Sequence, residues 1–334
     1  MDRIPFDQLR ETIERALHAL GITGERAALS ARLIAETDLD GITTHGIARF
    51  PRFAEMVRLG NIHPAAIPHA TASLGALERW TGHHGPGNLN AHACMSRAME
   101  LAEQHGIGGV ALAETTHWLR GGSYGWQAAE AGFAAICWSN TLPNLPPWGA
   151  MTPALGNNPL VIAIPRAGGP IVLDMAMSQF SYGTLASYRE QGKLLPVPGG
   201  FDAQGNITTD PAAIEATQRA LPIGFWKGSG LSFVLDVLGA MLAGGNAAHD
   251  FGPDPLREVG QSQIFLAISP EALATKPTLA DDAIAFLHAA EPERPGHPAR
   301  YPGERVLEVR AENLRLGVPV NPSAFAFVQA TAAG

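Results

Sequence analysis

Two side chains four residues apart, His45 and Arg49, place a proton donor and an anion clamp within one small volume if the backbone between them is helical. Arg52 stands three residues further along the same side. An imidazole beside a guanidinium is the equipment for reducing a ketone that lies next to a carboxylate. The first protonates the developing alkoxide, and the second fixes the acid through charge-assisted hydrogen bonds. The same spacing also describes a solvated helix face on which Arg49 pairs with Asp38 or Asp40, and exposed pairs of that kind contribute little.

Three further stretches carry groups of chemical interest. Asp174 stands at the end of an apolar run and is followed by Ala176, Met177 and Ser178. It could orient His45, meet a cofactor ribose, or simply cap the next segment. In 115–126, TTHWLRGGSYGW, His117 follows an apolar run and Arg120-Gly121-Gly122-Ser123 makes a donor-rich turn able to hold an anion or a ring. His117 reads equally well as a core histidine satisfied by backbone. Trp226-Lys227-Gly228-Ser229-Gly230 opens an apolar helix, where bare amides and the helix dipole favour a phosphate and Lys227 adds a point charge. The plain alternative is a glycine-rich helix start with a surface lysine.

Other chemistries find little support. No GxGxxG follows a strand, so a Rossmann domain is not expected, and no Walker pattern surrounds Gly228. GGSYG (121–125) matches the letters of a nucleophile elbow, but six residues separate it from the preceding apolar run. The pair His83-His84 and the scattered His63, His69, His92, His105, His249, His288 and His297 lack an HExxH pattern, and no metal site is expected from them.

The elements that must position these groups fall into two textures. Thr44 stands where a helix N-cap should stand, and Ile47, Phe50, Phe53, Ala54 and Val57 share one stripe of the helix that follows, kinked at Pro51. Helices over 6–20 and 25–37 precede it, which makes an N-terminal helical unit of about 60 residues. A loop rich in Pro and His covers 61–70. Short apolar runs at 109–114, 134–140, 160–165, 170–175 and 263–269 then read as buried strands, with helices at 88–105 and 124–131 between them. The segment 275–300 is Pro-rich and reads as loop, and the C-terminal stretch reads as a return to the helical unit. The expected fold is therefore mixed α/β. Residues 1–70 with 300–334 form a helical domain, and 71–299 form the mixed-sheet domain.

The bulk properties narrow the partners. A chain of 334 residues exceeds the usual single core, so two domains are the default. Charged residues make up only 16%, which leaves apolar surface to bury against another subunit. The net charge of −8 has no compensating basic cluster, which argues against nucleic acid and anionic membranes as partners. An anionic substrate would then need local positive charge, which singles out Arg49 and Lys227. Cys94 and Cys137 show neither metal spacing nor a disulfide framework, so a reduced cytoplasmic protein is expected. The N-terminal segment carries acids throughout, unlike a secretory signal, and no apolar run reaches the roughly 18 residues of a membrane span.

Taken together, the blocks THGIARFPRF (44–53), THWLRGGSYGWQAAEAG (116–132), PPWGAMTPALGNNPLVIAIP (146–165), VLDMAMSQFSYG (172–183), TTDP (208–211), LPIGFWKGSGLS (221–232) and PGE (302–304) resemble the type 2 malate/L-lactate dehydrogenase family. The resemblance covers most of the chain and lies closest to members that reduce sugar-derived 2-oxoacids. It implies a non-Rossmann nicotinamide-binding domain beside a helical unit from both termini, working as a homodimer with sites near the interface. It implies His45 as proton donor and Arg49 as carboxylate anchor; the mechanism expected on that basis adds Asp174 as the group that orients the imidazole. The cofactor, NAD or alternatively NADP, would be held by Pro170, Ile171, Val172, Leu173, Asp174, Met175 and Ala176, by His117, by Trp226 and Lys227, and by Gly303, Glu304 and Arg305. Malate, lactate, ureidoglycolate and cyclic imino acids are the alternative substrates. A silent nucleotide- or sugar-acid-binding protein is the alternative outside catalysis, though a pure binder has no need of a proton donor. Two departures stand out: Asn157 replaces the Thr of the family's Gly-Thr-Asn-Pro turn, and Glu304-Arg305 replace a histidine-bearing pair. Arg305 is placed to meet a 2′-phosphate, as Arg does in NADP enzymes.

Overall fold

The computed structural model describes residues 2–273, 276 and 278–334. The chain opens with β1 (Arg3–Ile4), α1 (Phe6–Ala19) and α2 (Gly24–Leu39), followed by a 3-10 turn (Ile47–Arg49) and α3 (Phe50–Arg58). In α1 the residues Leu9, Ile13, Ala16 and Leu17 recur at helical spacing, and all four are buried. They pack with Ile34 and Ala35 of α2, Phe50 and Phe53 of α3, and the distant Val318, Phe325 and Val328. The two ends of the chain thus share one core.

The second body is built on β2 (His69–Leu74), β3 (Leu77–Thr81), α4 (Gly87–His105), β4 (Ile107–Thr116), α5 (Gly122–Glu130), β5 (Ala134–Ser139), β6 (Leu160–Ile164) and β7 (Ile171–Met175). An excursion follows, with α6 (Tyr182–Glu190), β8 (Gly200–Phe201), β9 (Ile207–Thr208) and α7 (Pro211–Thr217) around Leu185, Leu195 and Ile214. The chain then returns through α8 (Trp226–Ala243), β10 (Val259–Ile268), α9 (Pro270–Leu273) and α10 (Leu279–His288). It closes with α11 (Glu304–Leu316), β11 (Val318–Pro319) and α12 (Pro322–Ala332), and β11 pairs with β1.

Seven strands form one mixed sheet in the order β2-β3-β4-β10-β5-β6-β7. Only β3 and β4 are parallel neighbours. Both faces of its centre are covered, and that explains why β4 reads as a continuous apolar run. Val110 and Leu112 point to the side of α4 and α5, while Ala111 and Ala113 point to that of α8. Toward the edge the cover thins, and Ile162 and Ile164 of β6 are exposed on their outer face, unlike the wholly buried strand expected.

Some boundaries differ from the sequence reading for identifiable reasons. β2 is exposed along its whole length and carries no apolar run, and β3 mixes Glu78 and Arg79 with Leu77 and Trp80, so neither announces itself. The 61–70 loop therefore ends two residues earlier, in β2. α10 falls inside the Pro-rich 275–300 segment; Ala274, Thr275 and Pro277 lie outside the described residues. α11 faces both bodies. Val306 and Leu307 lie against the sheet-side core, while Arg310 and Asn313 bond to Asp40 and to the Leu39 carbonyl at the end of α2.

Candidate functional site

His45 lies in a turn ahead of the 3-10 segment, and α3 starts only at Phe50, so His45 and Arg49 do not ride one α-helical turn as the spacing suggested. Thr44 does not cap this segment. The Asp38 carboxylate does, accepting the Ile47 N–H at 2.7 Å from nine residues upstream. Burial pushes the Asp38 carboxyl up to about 7. The approach is so close that a Cβ at position 46 would fall 2.0 Å from Asp38 Oδ2, which reserves Gly46 for glycine. Thr44 instead sets its hydroxyl 2.8 Å from His45 Nδ1. Pro51 occupies the first turn of α3, where its missing N–H costs nothing, and the expected kink is absent.

Around this turn the groups separate into those already engaged and those left available. Arg52 donates to Glu258 at 2.7 Å and to the Pro255 carbonyl. Arg49 is half-buried and its guanidinium has no ion pair or hydrogen bond among the described residues; neither Asp38 nor Asp40 engages it. His117 lies alongside His45, with ring centroids 6.4 Å apart and planes inclined by 24°. The Leu119 N–H donates to His117 Nδ1 at 3.0 Å, which assigns the ring proton of the neutral form to Nε2. Burial, then the charges of Arg49 and Arg120, lowers His45 to about 4. Burial, then Arg49, His45 and Arg52, takes His117 well below the usual histidine range. Both rings are neutral near pH 7. The two-edged reading of His117 resolves into parts of each: its Nδ1 is satisfied by backbone, and its other nitrogen is free to donate.

Arg120, only 5% exposed, is the group the sequence reading undervalued. It bonds Asp40 through Nη1, and its Nε is buried without a partner. Arg310 grips the same carboxylate through Nε at 2.6 Å, reaches Glu130 at 3.3 Å, and stacks over the Trp126 ring at 4.8 Å. Asp40 therefore joins the end of α2 to the turn before α5 and to α11. The one sequence signal for Arg120 is its place between apolar Leu119 and a glycine pair.

β7 gathers the other expected residues. Asp174 accepts the Gly122 N–H at 2.8 Å, so it holds the start of α5. It has no hydrogen bond to His45, whose Nδ1 is met by Thr44, and the orienting role anticipated for it is not what the structure shows. Desolvation of the carboxyl where it turns in toward Gly122 raises Asp174, and Arg120 holds it back, while the residue as a whole is exposed at the sheet edge. A Cβ on Gly122 would stand 2.7 Å from Asp174 Oδ2 and 3.3 Å from Arg120 Nε, so bare glycine separates the acid from the guanidinium. Pro170 leads into the strand Ile171, Val172, Leu173, Asp174 and Met175, with Ala176 beyond it. Across from it, the Val172 N–H donates to the Pro302 carbonyl at 2.9 Å. Gly303 adopts φ +96° there, and a Cβ on it would stand 3.1 Å from Val172 N. The Ile223 N–H donates to the Met177 carbonyl at 2.8 Å, tying the same strand's exit to the start of α8.

These ties bring three segments of the expected cofactor site, far apart in sequence, onto one sheet edge. Gly303 lets its loop pass close against the β7 backbone, Trp226 offers a largely exposed indole, and Lys227 is an exposed cation without an ion pair among the described residues, so the last two fit a nucleotide's flat rings and anion. Gly228 does not add a free amide, because its N–H donates to the Ile223 carbonyl at 2.9 Å. Glu304 is engaged by His288 at 3.0 Å and by the Tyr301 N–H, whereas Arg305 is exposed with no partner among the described residues. Asn157 is bonded into its turn: its carboxamide oxygen accepts from the Thr141 hydroxyl at 2.9 Å and from Asn144 at 3.2 Å.

A seven-stranded mixed sheet beside a helical unit drawn from both termini is an architecture shared with solved dehydrogenases. The malate/L-lactate dehydrogenase family matches residues 4–329, and the chain belongs to that family of nicotinamide-dependent oxidoreductases. It is 44% identical to a curated 2,3-diketo-L-gulonate reductase of Citrobacter koseri over 332 residues, which covers 98% of this chain and 99% of the relative. Among solved structures it is similar to a dehydrogenase from Sinorhizobium meliloti, with a TM-score of 0.88, 28% identity, and 99% and 98% of the two chains covered. It is similar to a delta1-piperideine-2-carboxylate reductase from Pseudomonas syringae to the same TM-score, 0.88, at 27% identity, with 99% and 100% covered.

Proposed function

We propose that this protein reduces the 2-keto group of a sugar-derived 2-oxoacid to the 2-hydroxy acid, with 2,3-diketo-L-gulonate as the first substrate. The observation that carries this reading is the near full-length 44% identity to reductases of that compound. Bound reduced NAD, or alternatively NADP, would supply the hydride. The unpaired Arg49 takes the substrate carboxylate, and His45 gives its proton to the oxygen that gains charge. His117 donates its Nε2–H beside it as a neutral partner. Asp174 acts at one remove, by fixing α5 and the Arg120 turn. The deciding experiment is a panel of oxoacids (diketogulonate, pyruvate, oxaloacetate, the ureidoglycolate couple and a cyclic imino acid) assayed with both reduced cofactors. Fast turnover of another acid, with none of diketogulonate, would reassign the substrate; nucleotide binding with no turnover anywhere would make the protein a binder. Preference for NADP would point to the exposed Arg305.

A neutral resting imidazole has a kinetic consequence. The reductive kcat/KM reports the enzyme before the oxoacid binds, and His45 is protonated mostly below about pH 4. The reductive kcat/KM should therefore fall by about tenfold per unit as pH rises from about 5 to 8, whereas oxidation of the hydroxy acid, which needs the base, should stay level. A level reductive profile would remove His45 as the donor. For the clamp, Arg49→Met should raise the oxoacid KM by roughly 10- to 150-fold, the equivalent of about 1.5–3 kcal/mol, and leave nucleotide affinity within a factor of about two. Equal losses of both ligands would contradict a carboxylate anchor.

Support for a homodimer comes from the outward side of α8, where Phe233, Val234, Leu238 and Met241 are all exposed on one helix. A contiguous apolar surface of this kind marks an interface. Sedimentation should give a dimer that Met241→Asp weakens; a monomer at micromolar concentration would refute it. No helix among the described residues is long and apolar enough to cross a membrane. The two cysteines, Cys94 and Cys137, are free and buried, which supports a cytoplasmic setting.

A further inference from the structure

The histidines that the sequence leaves scattered are gathered by the fold. His69 is the first residue of β2 and pairs across the hairpin with Thr81; His83 follows β3 by two residues, so the two rings meet at the hairpin's open end. Their centroids lie 4.7 Å apart, and His83 Nε2 stands 3.2 Å from His69 Nδ1. His63 and His84 stack beside them with centroids 5.7 Å apart. His63 Nδ1 is 2.9 Å from the His83 carbonyl, and His84 Nε2 is 2.6 Å from Glu114 Oε2.

The backbone under this group is strained. His83, His84 and Glu114 have φ of +48°, +53° and +52°, a region uncommon outside glycine, which Asn, Asp and His enter more readily than Glu does. The strain is imposed by β4, to which the His84 N–H donates at the Glu114 carbonyl (2.7 Å) and the Gly82 N–H at the Ala113 carbonyl (2.9 Å). Such conformations cluster where a side chain must be aimed. Here the strained residues are the ones that bear imidazoles and a carboxylate.

We propose that His69 Nδ1 and His83 Nε2 form a binding site for a divalent late first-row metal ion, with zinc as the reference ion. This is independent of the oxidoreductase chemistry. Two nitrogens bound at about 2.0–2.1 Å with a tetrahedral angle between them stand about 3.3 Å apart, close to the spacing the two rings already hold. As placed, the two nitrogens face each other across one shared proton; an ion about 2.0–2.1 Å from both would sit beside the N–N line, so each exposed ring turns to aim its lone pair while the spacing between the nitrogens is kept. Both residues are exposed, so the ion reaches them from solvent. His63 and His84 are held by the His83 carbonyl and by Glu114. Among the described residues no three His, Cys, Asp or Glu groups converge on one point, so the protein supplies two ligands and water completes the shell. Imidazole pairs select zinc, nickel or copper over magnesium and calcium, which demand oxygen.

The test is calorimetric titration of metal-free protein with zinc near pH 7.5. One ion per chain is expected, with magnesium giving no heat. His69→Ala and His83→Asn should each weaken zinc by at least about tenfold, and together they should abolish it. Asn is chosen at 83 because it tolerates the left-handed backbone. His45→Ala should bind zinc as the parent does, which separates this site from the His45–His117 pair. Should the variant at 83 fail to fold, His69→Ala on the exposed edge strand decides alone, with the zinc-induced rise in melting temperature as readout. No uptake of zinc below about 1 mM, or unchanged uptake by the double variant, overturns the proposal.

Discussion

Alanine at position 45 should yield a protein that still takes up reduced nicotinamide nucleotide but reduces its oxoacid about 10²–10⁴-fold more slowly. The reason is local. The His45 turn is held by Asp38 through the Ile47 N–H and stands beside the core made by both chain ends, whereas the segments proposed for the nucleotide hang on β7. Deleting the imidazole removes the proposed proton donor and leaves both supports standing. Single-turnover rates at saturating nucleotide, beside a fluorescence titration of the nucleotide, measure the two effects separately. The residual rate should also lose its dependence on acid. If nucleotide affinity collapses together with turnover, His45 belongs to the cofactor site and the assignment fails.

Asp40→Asn should be the most destabilising single change at the junction of the two bodies, by about 3–5 kcal/mol. Asp40 is 2% exposed and is the counter-charge for two guanidinium groups, Arg120 and Arg310. The amide keeps the shape and removes the charge, which leaves Arg120, itself 5% exposed, buried with no carboxylate bonded to it. Arg310 retains Glu130 and the Trp126 ring, so its share of the loss is smaller. Urea unfolding gives the number. The indole of Trp126 should change its emission as Arg310 shifts. A loss below about 1 kcal/mol would place this network with ordinary surface pairs.

The parts of the fold legible in sequence are those whose burial is complete or whose period is clean. β4, β5 and β10 lie in the sheet's centre and read as apolar runs; α1 shows a stripe that the core uses residue for residue. β2 and β3 were invisible because an edge hairpin is stabilised by its ladder and carries no apolar signature. In the site, His45 and Arg49 were legible through their spacing, although the chain between them turned out to be a turn and a 3-10 segment. What spacing could not show was partnership at a distance. Asp40 meets Arg120 across 80 positions and Arg310 across 270. Asp174 found the Gly122 amide 52 positions away, and this is why its expected role beside His45 did not hold. The same limit hid His69 and His83: a search for a short motif cannot see two rings joined by a hairpin.

β7 is the last strand of the sheet, and one of its outward N–H groups is taken by the Pro302 carbonyl rather than by another strand. That loop is therefore a plug. An uncovered strand edge is a template on which a second chain can grow. If Pro302 and Gly303 swing away to let a nucleotide in or out, the molecule bares such an edge at every cycle, so the fastest useful gate would also be the one most prone to clumping. A chain shortened ahead of α11 would carry that open edge permanently, and insolubility rather than mere inactivity is the fate it should meet.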